Sequence, residues 1–531
     1  MKRLFLLGAT LAITQASPPV RAADESLSFK HELQLLKDEV RALRDQNQSL
    51  QDQIDRLRAN ASVAPAPVGR ETGIRGSTEK STQDAVVAPT AQVSLPNNPP
   101  AGIASRSPTG PKVVESATHR FSLSSADGQY TIGLTGRLQL DLGSYLSYSA
   151  KHPTLGPINA STTHLSDGFN ARRARIGVAG KAAGDFTYTF IYDAGGSQDM
   201  APSGIEYAQI GYTGIKNTIL EVGYSDSFFA LEEIQSSNDT MFLERASAVN
   251  VATSLNADDY RANAGFRTWG DDYWIGAYVT GPSSSDSHTT TRERFGAIQR
   301  VTYNPVQENN TSVHIGVGVS ELISAPDTGP GTARTITFSD RPELRIDPTR
   351  FLNTGPLGTV ANPVIGGVVY NLETAILWDG FFYQGEYFHY TVDRRGLTQA
   401  SFDGGYGELS YTFGGHRNYI PAVGAYSGIN PDKPFSLKTG GVGAFELAAR
   451  ISYINLIDQY NPGIVAAQPN AINGGKQTGV TLGLNWYLNS NMRWMLNWVH
   501  VNFRKTDPSP SGGIPIGSAL DAIALRWQVA Y

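Results

Sequence analysis

The sequence contains no cysteine, which excludes a disulfide framework, a thiol nucleophile and a Cys-ligated metal site. Charged residues make up only 17% of the 531 positions. The 9 histidines are scattered, and no serine lies in a Gly-x-Ser-x-Gly elbow, so a hydrolytic enzyme is disfavoured. No stretch offers about 20 consecutive apolar residues, the length that a transmembrane helix needs. We expect no cofactor, no metal and no nucleic acid as partner.

Residues 1–22 have the features of a secretory signal peptide. Lys2 and Arg3 supply the positive start, Leu4–Ile13 the short apolar run, and Val20–Ala22 a small-residue cleavage site. The apolar run is too short to span a bilayer, which argues against an anchor helix. The mature protein is therefore expected to be periplasmic, secreted or a membrane barrel.

Residues 24–59 are predicted to form a coiled coil, because apolar residues recur at steps of three and four. A helix this short is marginal alone, so we expect it to associate. Asn47 falls at an a position, where a polar residue fixes the register at a cost in stability. A solvated single helix is the alternative, and the heptads do not fix the number of chains. The a and d positions are Leu33, Leu36, Val40, Leu43, Asn47, Leu50, Ile54 and Leu57.

Residues 60–117 are predicted to be a linker. Pro, Ala, Ser, Thr and Gly dominate, as in Ala64–Pro67 and Leu95–Pro100, and no periodicity is present. Such a segment is extended where it is rich in proline and otherwise disordered. It would tether the coiled coil to the remaining residues, 118–531.

Residues 118–531 are predicted to form an all-β, transmembrane antiparallel barrel of about sixteen strands. From Tyr130 onward side chains alternate with a period of two, the pattern of a strand with one apolar and one polar face. In the last strand Trp527 and Val529 alternate with Arg526 and Gln528. In a barrel the apolar face meets lipid and the polar face meets the lumen. The terminal aromatic also resembles the signal read by the bacterial barrel-assembly machinery.

Short turns alternate with long polar connections, which is the asymmetry of bacterial barrels between their periplasmic and outer ends. One connection, Gly415–Gly443, is too long for a periplasmic turn, and the sequence does not explain it. The long polar connections are 143–168, 227–258, 281–292, 323–364, 455–476 and 504–518.

The predicted inward face is charged. A barrel packed solid would fill that face with apolar side chains, so a charged lumen in so wide a barrel indicates water and hence a channel. The inward candidates are Arg137, Asp141, Arg173, Arg175, Asn371, Glu373, Gln384, Glu386, Glu446, Arg450, Asn485, Arg493 and Asn497.

An ordered series of short motifs over 130–531 resembles the phosphate- and polyphosphate-selective porins (the porin O/P family). The coiled coil lies outside that match. The resemblance implies a sixteen-stranded trimer whose third outer loop folds into the pore. The motifs are Gly136–Gln139, Phe169–Ala174, Leu243–Arg245, Arg341–Arg345, Gln384–Tyr387, Gly443–Leu447, Thr481–Tyr487 and the terminal strand.

In this family arginines lead anions to a constriction, which the resemblance places here at Arg172 and Arg173. Guanidinium groups match phosphate oxygens bidentately and stay charged. A nearby carboxylate weakens binding so that the ion can leave, as conduction requires. The two arginines are adjacent, so both reach the lumen only if Arg172 lies at the strand's outer end or at a bulge. The other matched or candidate pore residues are Arg137, Arg175, Glu206, Asp226, Ser236, Ser237, Arg245, Arg341 and Arg345.

The sequence departs from the family where the loop lysine is expected, because Glu233 stands there and Glu232 precedes it. Residues 118–531 hold 7 Lys and 22 Arg against 36 acidic residues. Anion transport can rest on the arginines, but strict phosphate selectivity does not follow.

We therefore predict a homotrimeric porin in the bacterial outer membrane, in contact with its lipid and with the coiled coil in the periplasm. It would pass phosphate or similar small anions. Two alternatives are open. One is a general or carbohydrate porin, lined by Tyr145, Tyr148 and Tyr406; the other is a barrel anchor whose coiled coil tethers the cell wall or a partner.

Overall fold

The computed structural model describes residues 112–114, 121–150, 165–195, 204–257, 261–284, 292–308, 310–461, 464, 468–507 and 514–531. The predicted signal peptide and coiled coil lie outside these residues. Of the predicted linker, the described part is Lys112–Val114, and it forms a strand. This strand pairs with Ser122–Ser124, within the predicted 118–531 region.

Twenty-four strands and two short helices make up the described part of the chain. The strands are β1 (Lys112–Val114), β2 (Ser122–Ser124), β3 (Thr131–Ala150), β4 (Gly168–Ala182), β5 (Phe186–Asp193), β6 (Gly204–Ile215), β7 (Thr218–Ser225), β8 (Arg261–Trp269), β9 (Tyr273–Ser283), β10 (Phe295–Glu308), β11 (Thr311–Ser324), β12 (Ser339–Asp340), β13 (Leu352–Asn353), β14 (Val364–Trp378), β15 (Phe381–Arg394), β16 (Ala400–Phe413), β17 (Gly415–His416), β18 (Tyr419–Ile420), β19 (Ala425–Tyr426), β20 (Asn430–Pro431), β21 (Ala444–Asp458), β22 (Ile472–Asn489), β23 (Met492–Asp507) and β24 (Ile514–Ala530). The helices are α1 (Leu231–Ile234) and α2 (Ser247–Thr253).

Sixteen strands, β3–β11, β14–β16 and β21–β24, form a closed antiparallel barrel. Closure comes from β24, which pairs with β23 on one side and with β3 on the other. The predicted number of strands and the barrel are thus confirmed. Among the described residues, no helix is both long and apolar enough to cross a bilayer.

The two faces of the closing strand are those predicted from its alternation. Arg526 and Gln528 are buried against the lumen side, whereas Trp527, Val529 and Tyr531 lie on the outer face. The predicted inward residues also lie on the lumen side, because the same alternation continues around the barrel. The outer face carries exposed large apolar side chains on neighbouring strands, which suits contact with lipid.

The terminal aromatic is attached at the seam of the barrel. The backbone amide of Gly136 donates to the carbonyl of Tyr531 at 2.8 Å, and the amide of Tyr531 donates back at 3.0 Å. A Cβ on Gly136 would overlap the phenol ring of Tyr531, so glycine is needed there. Strand β2 pairs with the start of β3 and extends the ladder below this joint.

Three connections enter the lumen instead of remaining outside it. The first is 226–257, which carries α1 and α2 and is the third outer loop, in the position that the family resemblance implied. The second is 325–363, an outer loop with the β12–β13 hairpin. The third is 414–443, which starts at the short-turn end of the barrel.

The third segment explains the long connection that the sequence left unexplained. Its tip, at Val423 and Tyr426, is buried within the barrel. Arg300 on β10 donates to the carbonyl of Gly424 at 2.8 Å, and the indole of Trp274 donates to the carbonyl of Ala422 at 3.3 Å. The segment therefore packs inside the barrel and occupies the lumen at the short-turn end.

Candidate functional site

Arg172 lies in a β-bulge of β4. The register pairs Gln139 with Arg173 and Leu140 with Ala171, so Arg172 faces no residue of β3. Adjacent residues of a regular strand point to opposite faces, and an extra residue removes that constraint. Both arginines consequently reach the lumen, which satisfies the condition predicted from their adjacency.

The Arg172 guanidinium holds a carboxylate of the third outer loop. Its Nε and Nη2 donate to the two oxygens of Glu244 at 2.7 and 3.0 Å. Arg526 Nη2 reaches the same carboxylate at 2.9 Å, and Arg345 Nε reaches it at 3.4 Å. Burial alone would raise the pKa of Glu244, but Arg172 and Arg526 offset that effect and hold the pKa well below its ordinary value. The carboxylate is therefore charged at neutral pH.

Arg173 has a different environment. It is buried, and its Nη1 donates to the side-chain oxygen of Gln139 at 2.9 Å. Gln139 in turn donates to the carbonyl of Ser237 at 3.0 Å. The strand arginine is thus linked to the loop through a neutral amide.

The two predicted loop serines meet a strand arginine. Arg137 on β3 donates through Nη2 to Ser236 Oγ at 2.8 Å and through Nη1 to Ser237 Oγ. A guanidinium and two hydroxyls at this spacing can coordinate the oxygens of an anion. The structure therefore brings together the arginine and the serines that the sequence singled out separately.

Arg175 is paired with two carboxylates, those of Asp193 and Glu206, whereas Asp226 is bound by a tyrosine. Arg175 Nε donates to Asp193 at 2.8 Å, and its Nη1 pairs with Glu206. The hydroxyl of Tyr207 donates to Asp226 at 2.6 Å. With two carboxylates on one guanidinium, this region contributes little net positive charge to the pathway.

Two further predicted pore arginines make contacts within or with the third outer loop. Arg245 donates to the carbonyls of Glu232 and Glu233 at 3.1 and 2.7 Å, so it fixes the short helix α1. Arg341 is buried, and its carbonyl accepts from the Ser247 hydroxyl at 3.2 Å. Arg245 therefore positions the loop.

Carboxylates contact Arg450 and α1 on the lumen side of β15 and β21. Arg450 on β21 pairs with Glu343 at 2.8 Å and with Glu232 at 3.4 Å. Glu386 on β15 accepts from the α1 amides of Leu231 and Glu232 at 2.7 and 3.0 Å. Glu233 is also buried on α1. Of the two loop glutamates that the sequence singled out, Glu232 thus contacts strand residues of both signs.

Sequence reasoning missed Glu244 and Arg526 as site residues. Alternation did place Arg526 on the polar face of the last strand, so its side could be read from the sequence. Its partners could not, because they come from β3, with Asp141 at 2.6 Å, and from a loop more than 280 positions away.

The three tyrosines considered for a carbohydrate path are engaged with other groups. Tyr406 is buried and donates to Glu386 at 2.8 Å. Tyr148 packs on Phe351 with ring centroids 5.7 Å apart, and the hydroxyl of Tyr145 accepts from the amide of Asp347 at 3.3 Å. They do not form an open stacking surface. Among the described residues no group of three or more His, Asp or Glu side chains could hold a metal ion.

Comparison with known proteins gives a family match over most of the chain. The family model described as phosphate-selective porin O and P matches residues 158–531. Porin O of Pseudomonas aeruginosa is 24% identical over 419 residues, which cover 75% of this chain and 88% of that protein. An uncharacterized protein of Caulobacter vibrioides is 26% identical over 434 residues, 80% of this chain and 78% of that protein. The solved anion-selective porin from Comamonas acidovorans aligns with a TM-score of 0.43 at 12% identity, covering 76% of this chain and 100% of that chain.

Proposed function

Because the chain belongs to the phosphate-selective porin O and P family, we propose that it conducts small oxyanions, phosphate among them, in preference to cations. The family makes the chain an outer-membrane porin, a channel and not an enzyme. The solute and the preference for anions are the proposal.

The observation that carries the proposal is the bulge at Arg172. It lets two adjacent guanidinium groups face the lumen, whereas a regular strand would point one of them toward lipid. A fixed positive charge between low-dielectric walls raises the local concentration of anions. Arg137, which contacts Ser236 and Ser237, adds a third guanidinium with neutral partners beside it.

The carboxylates in the lumen argue against strict selectivity for phosphate. Glu233 replaces the expected lysine, and Glu206 offsets Arg175. A channel with such compensation is expected to favour oxyanions without strict selectivity for phosphate. We extend the proposal to a homotrimer whose periplasmic coiled coil supports assembly, as the heptads of 24–59 suggest.

The test is the reversal potential of the purified protein in planar bilayers under a potassium chloride gradient, with and without phosphate. We expect an anion-selective potential in chloride and a concentration-dependent block of the chloride current by phosphate. The variant in which Arg172 and Arg173 are both replaced by Ala should have a lower anion-to-cation permeability ratio. An unchanged potential in that variant would show that these arginines do not set selectivity.

A further inference from the structure

Glu244 occupies the position that a bound oxyanion would take. We propose that Arg172, Arg345 and Arg526 form an oxyanion-binding site whose resident ligand is the Glu244 carboxylate, and that a permeating oxyanion passes by displacing it. This inference rests on the proposed conduction of anions. It adds to the pathway a carboxylate of the protein itself, which competes with the permeating anion for the arginines.

The contacts are those of a bound ligand. The guanidinium groups of Arg172, Arg345 and Arg526 surround the carboxylate and are called the cage below. Arg172 binds both carboxylate oxygens at 2.7 and 3.0 Å, in the two-pronged geometry that guanidinium also adopts with phosphate. Arg526 adds a contact to Oε1 at 2.9 Å and Arg345 one to Oε2 at 3.4 Å. The three arginines come from β4, from the 325–363 segment and from β24, so the cage is assembled by the tertiary fold.

The charges favour a replaceable anion at this point. Arg526 also pairs with Asp141 at 2.6 Å, and Arg345 with Asp340 at 3.2 Å. These two carboxylates belong to the wall and to the inner loop, and they offset two of the three positive charges. Glu244 supplies a further negative charge, bound by Arg172 and Arg526. When its side chain leaves, the donor groups that it occupied become available to an arriving anion.

The loop need not move for this exchange. Arg526 Nη1 donates to the carbonyl of Leu243 at 2.6 Å, and Arg450 Nη1 donates to the carbonyl of Glu244 at 2.9 Å. These contacts hold the backbone at Leu243 and Glu244 independently of the carboxylate. A change of side-chain rotamer is then sufficient to withdraw the carboxylate.

Arg172 is the most exposed of the three arginines. The side chain of Arg172 is 14% exposed, whereas that of Arg526 is fully buried. The ion would therefore contact Arg172 first and displace Glu244 from there. A permeant oxyanion with at least two oxygens can reproduce the paired contacts, and chloride cannot.

The experiment compares phosphate block of the chloride current in the wild-type channel, Glu244→Gln and Glu244→Ala. We expect the half-blocking concentration of inorganic phosphate to fall on the order of tenfold in both variants, because a charged competitor is removed from a partly desolvated site. Chloride permeability should rise less. The matched control is Glu221→Gln, in another lumen carboxylate, which accepts from Gln209 at 3.0 Å and Tyr278 at 2.5 Å. The control should leave the block within about twofold of wild type.

A second substitution tests whether stronger phosphate block depends on the arginines of the cage. Adding Arg345→Ala to Glu244→Gln should return phosphate block toward the wild-type value. Folding is checked by the mobility shift of unheated barrels in detergent gels, and Glu244→Gln decides the question if Glu244→Ala does not fold. Unchanged or weaker block in folded Glu244→Gln, with an anion-selective wild type, would overturn the inference and leave Glu244 as a structural contact. A wild-type channel without anion preference would instead refute the proposed function.

Discussion

Arg173 donates to the neutral side chain of Gln139 at 2.9 Å, and among the described residues no carboxylate lies within ion-pairing distance of its guanidinium. Its neighbour Arg172 binds the Glu244 carboxylate through two hydrogen bonds. The two arginines thus share a face of the barrel but differ in how much of their charge is compensated. The uncompensated charge contributes more to the potential in the lumen.

We therefore expect Arg173→Ala to lower the anion-to-cation permeability ratio more than Arg172→Ala does. The loss for Arg173→Ala should be on the order of two- to tenfold, since it removes a buried fixed charge between low-dielectric walls. Reversal potentials under a salt gradient measure both variants. Arg173→Lys is the matched control, because it keeps the charge and should retain most of the selectivity. Equal effects of the two Ala variants would contradict this ranking.

The Glu233→Lys variant tests the departure from the family at the third loop. Glu233 lies on α1, whose carbonyls are held by Arg245 inside the lumen. A lysine there reverses a charge near the pathway and should strengthen phosphate block of the chloride current several-fold. Glu233→Gln removes the negative charge without adding a positive one and should have a smaller effect. If block is unchanged in folded Glu233→Lys, residue 233 does not face the conducting path.

Shortening the segment 414–443 should raise single-channel conductance. Removal of residues 418–429 takes out the tip that fills the lumen beside Arg300 and Trp274, so we expect an increase of roughly twofold or more. Leu437 lies in the same segment but is 90% exposed. Leu437→Ser is therefore the control and should leave conductance unchanged. A deletion variant with wild-type conductance would place the narrowest point elsewhere.

Acidification should increase the anion preference. Burial raises the pKa of Asp239 despite Arg493 and Arg137 nearby, and burial likewise raises the pKa of Glu232 despite Arg450. Acids with a raised pKa take up protons at a higher pH than ordinary ones. As the pH falls, these loop carboxylates take up protons before carboxylates of ordinary pKa do, while Glu244 and the arginines stay charged.

Reversal potentials at a series of pH values measure this change. Asp239→Asn should reduce the shift, because it removes one of the titrating groups. A shift toward cations on acidification would contradict the assignment of these carboxylates to the pathway.

The heptads of 24–59 lie outside the described residues, and their association stays a prediction. The detergent-solubilised full chain should have the native mass of a trimer. Asn47→Leu should raise the thermal stability of the coiled-coil peptide and loosen its oligomer choice, because the polar a position fixes register at a cost in stability. A monomeric mass for the intact protein would refute the assembly.

The sequence by itself determined which way each strand side chain points. Alternation is a local property with a period of two, so it placed Arg526 inward and Trp527 outward without any knowledge of neighbours. Because Arg172 and Arg173 are adjacent, the sequence also predicted that both can face the lumen only at a bulge or a strand end. The barrel class and its sixteen strands follow from the same local pattern together with the spacing of turns.

Only the tertiary structure decided which groups meet in the lumen. Glu244 lies far in sequence from Arg345 and Arg526, and their contact depends on the closure of β24 on β3 and on the entry of two outer loops. The sequence showed that 414–443 is long but not that it packs into the lumen. Inward packing depends on contacts with distant residues such as Arg300. Periodicity is set by adjacent residues along one strand, whereas charge pairing is set by register and loop position across the whole barrel.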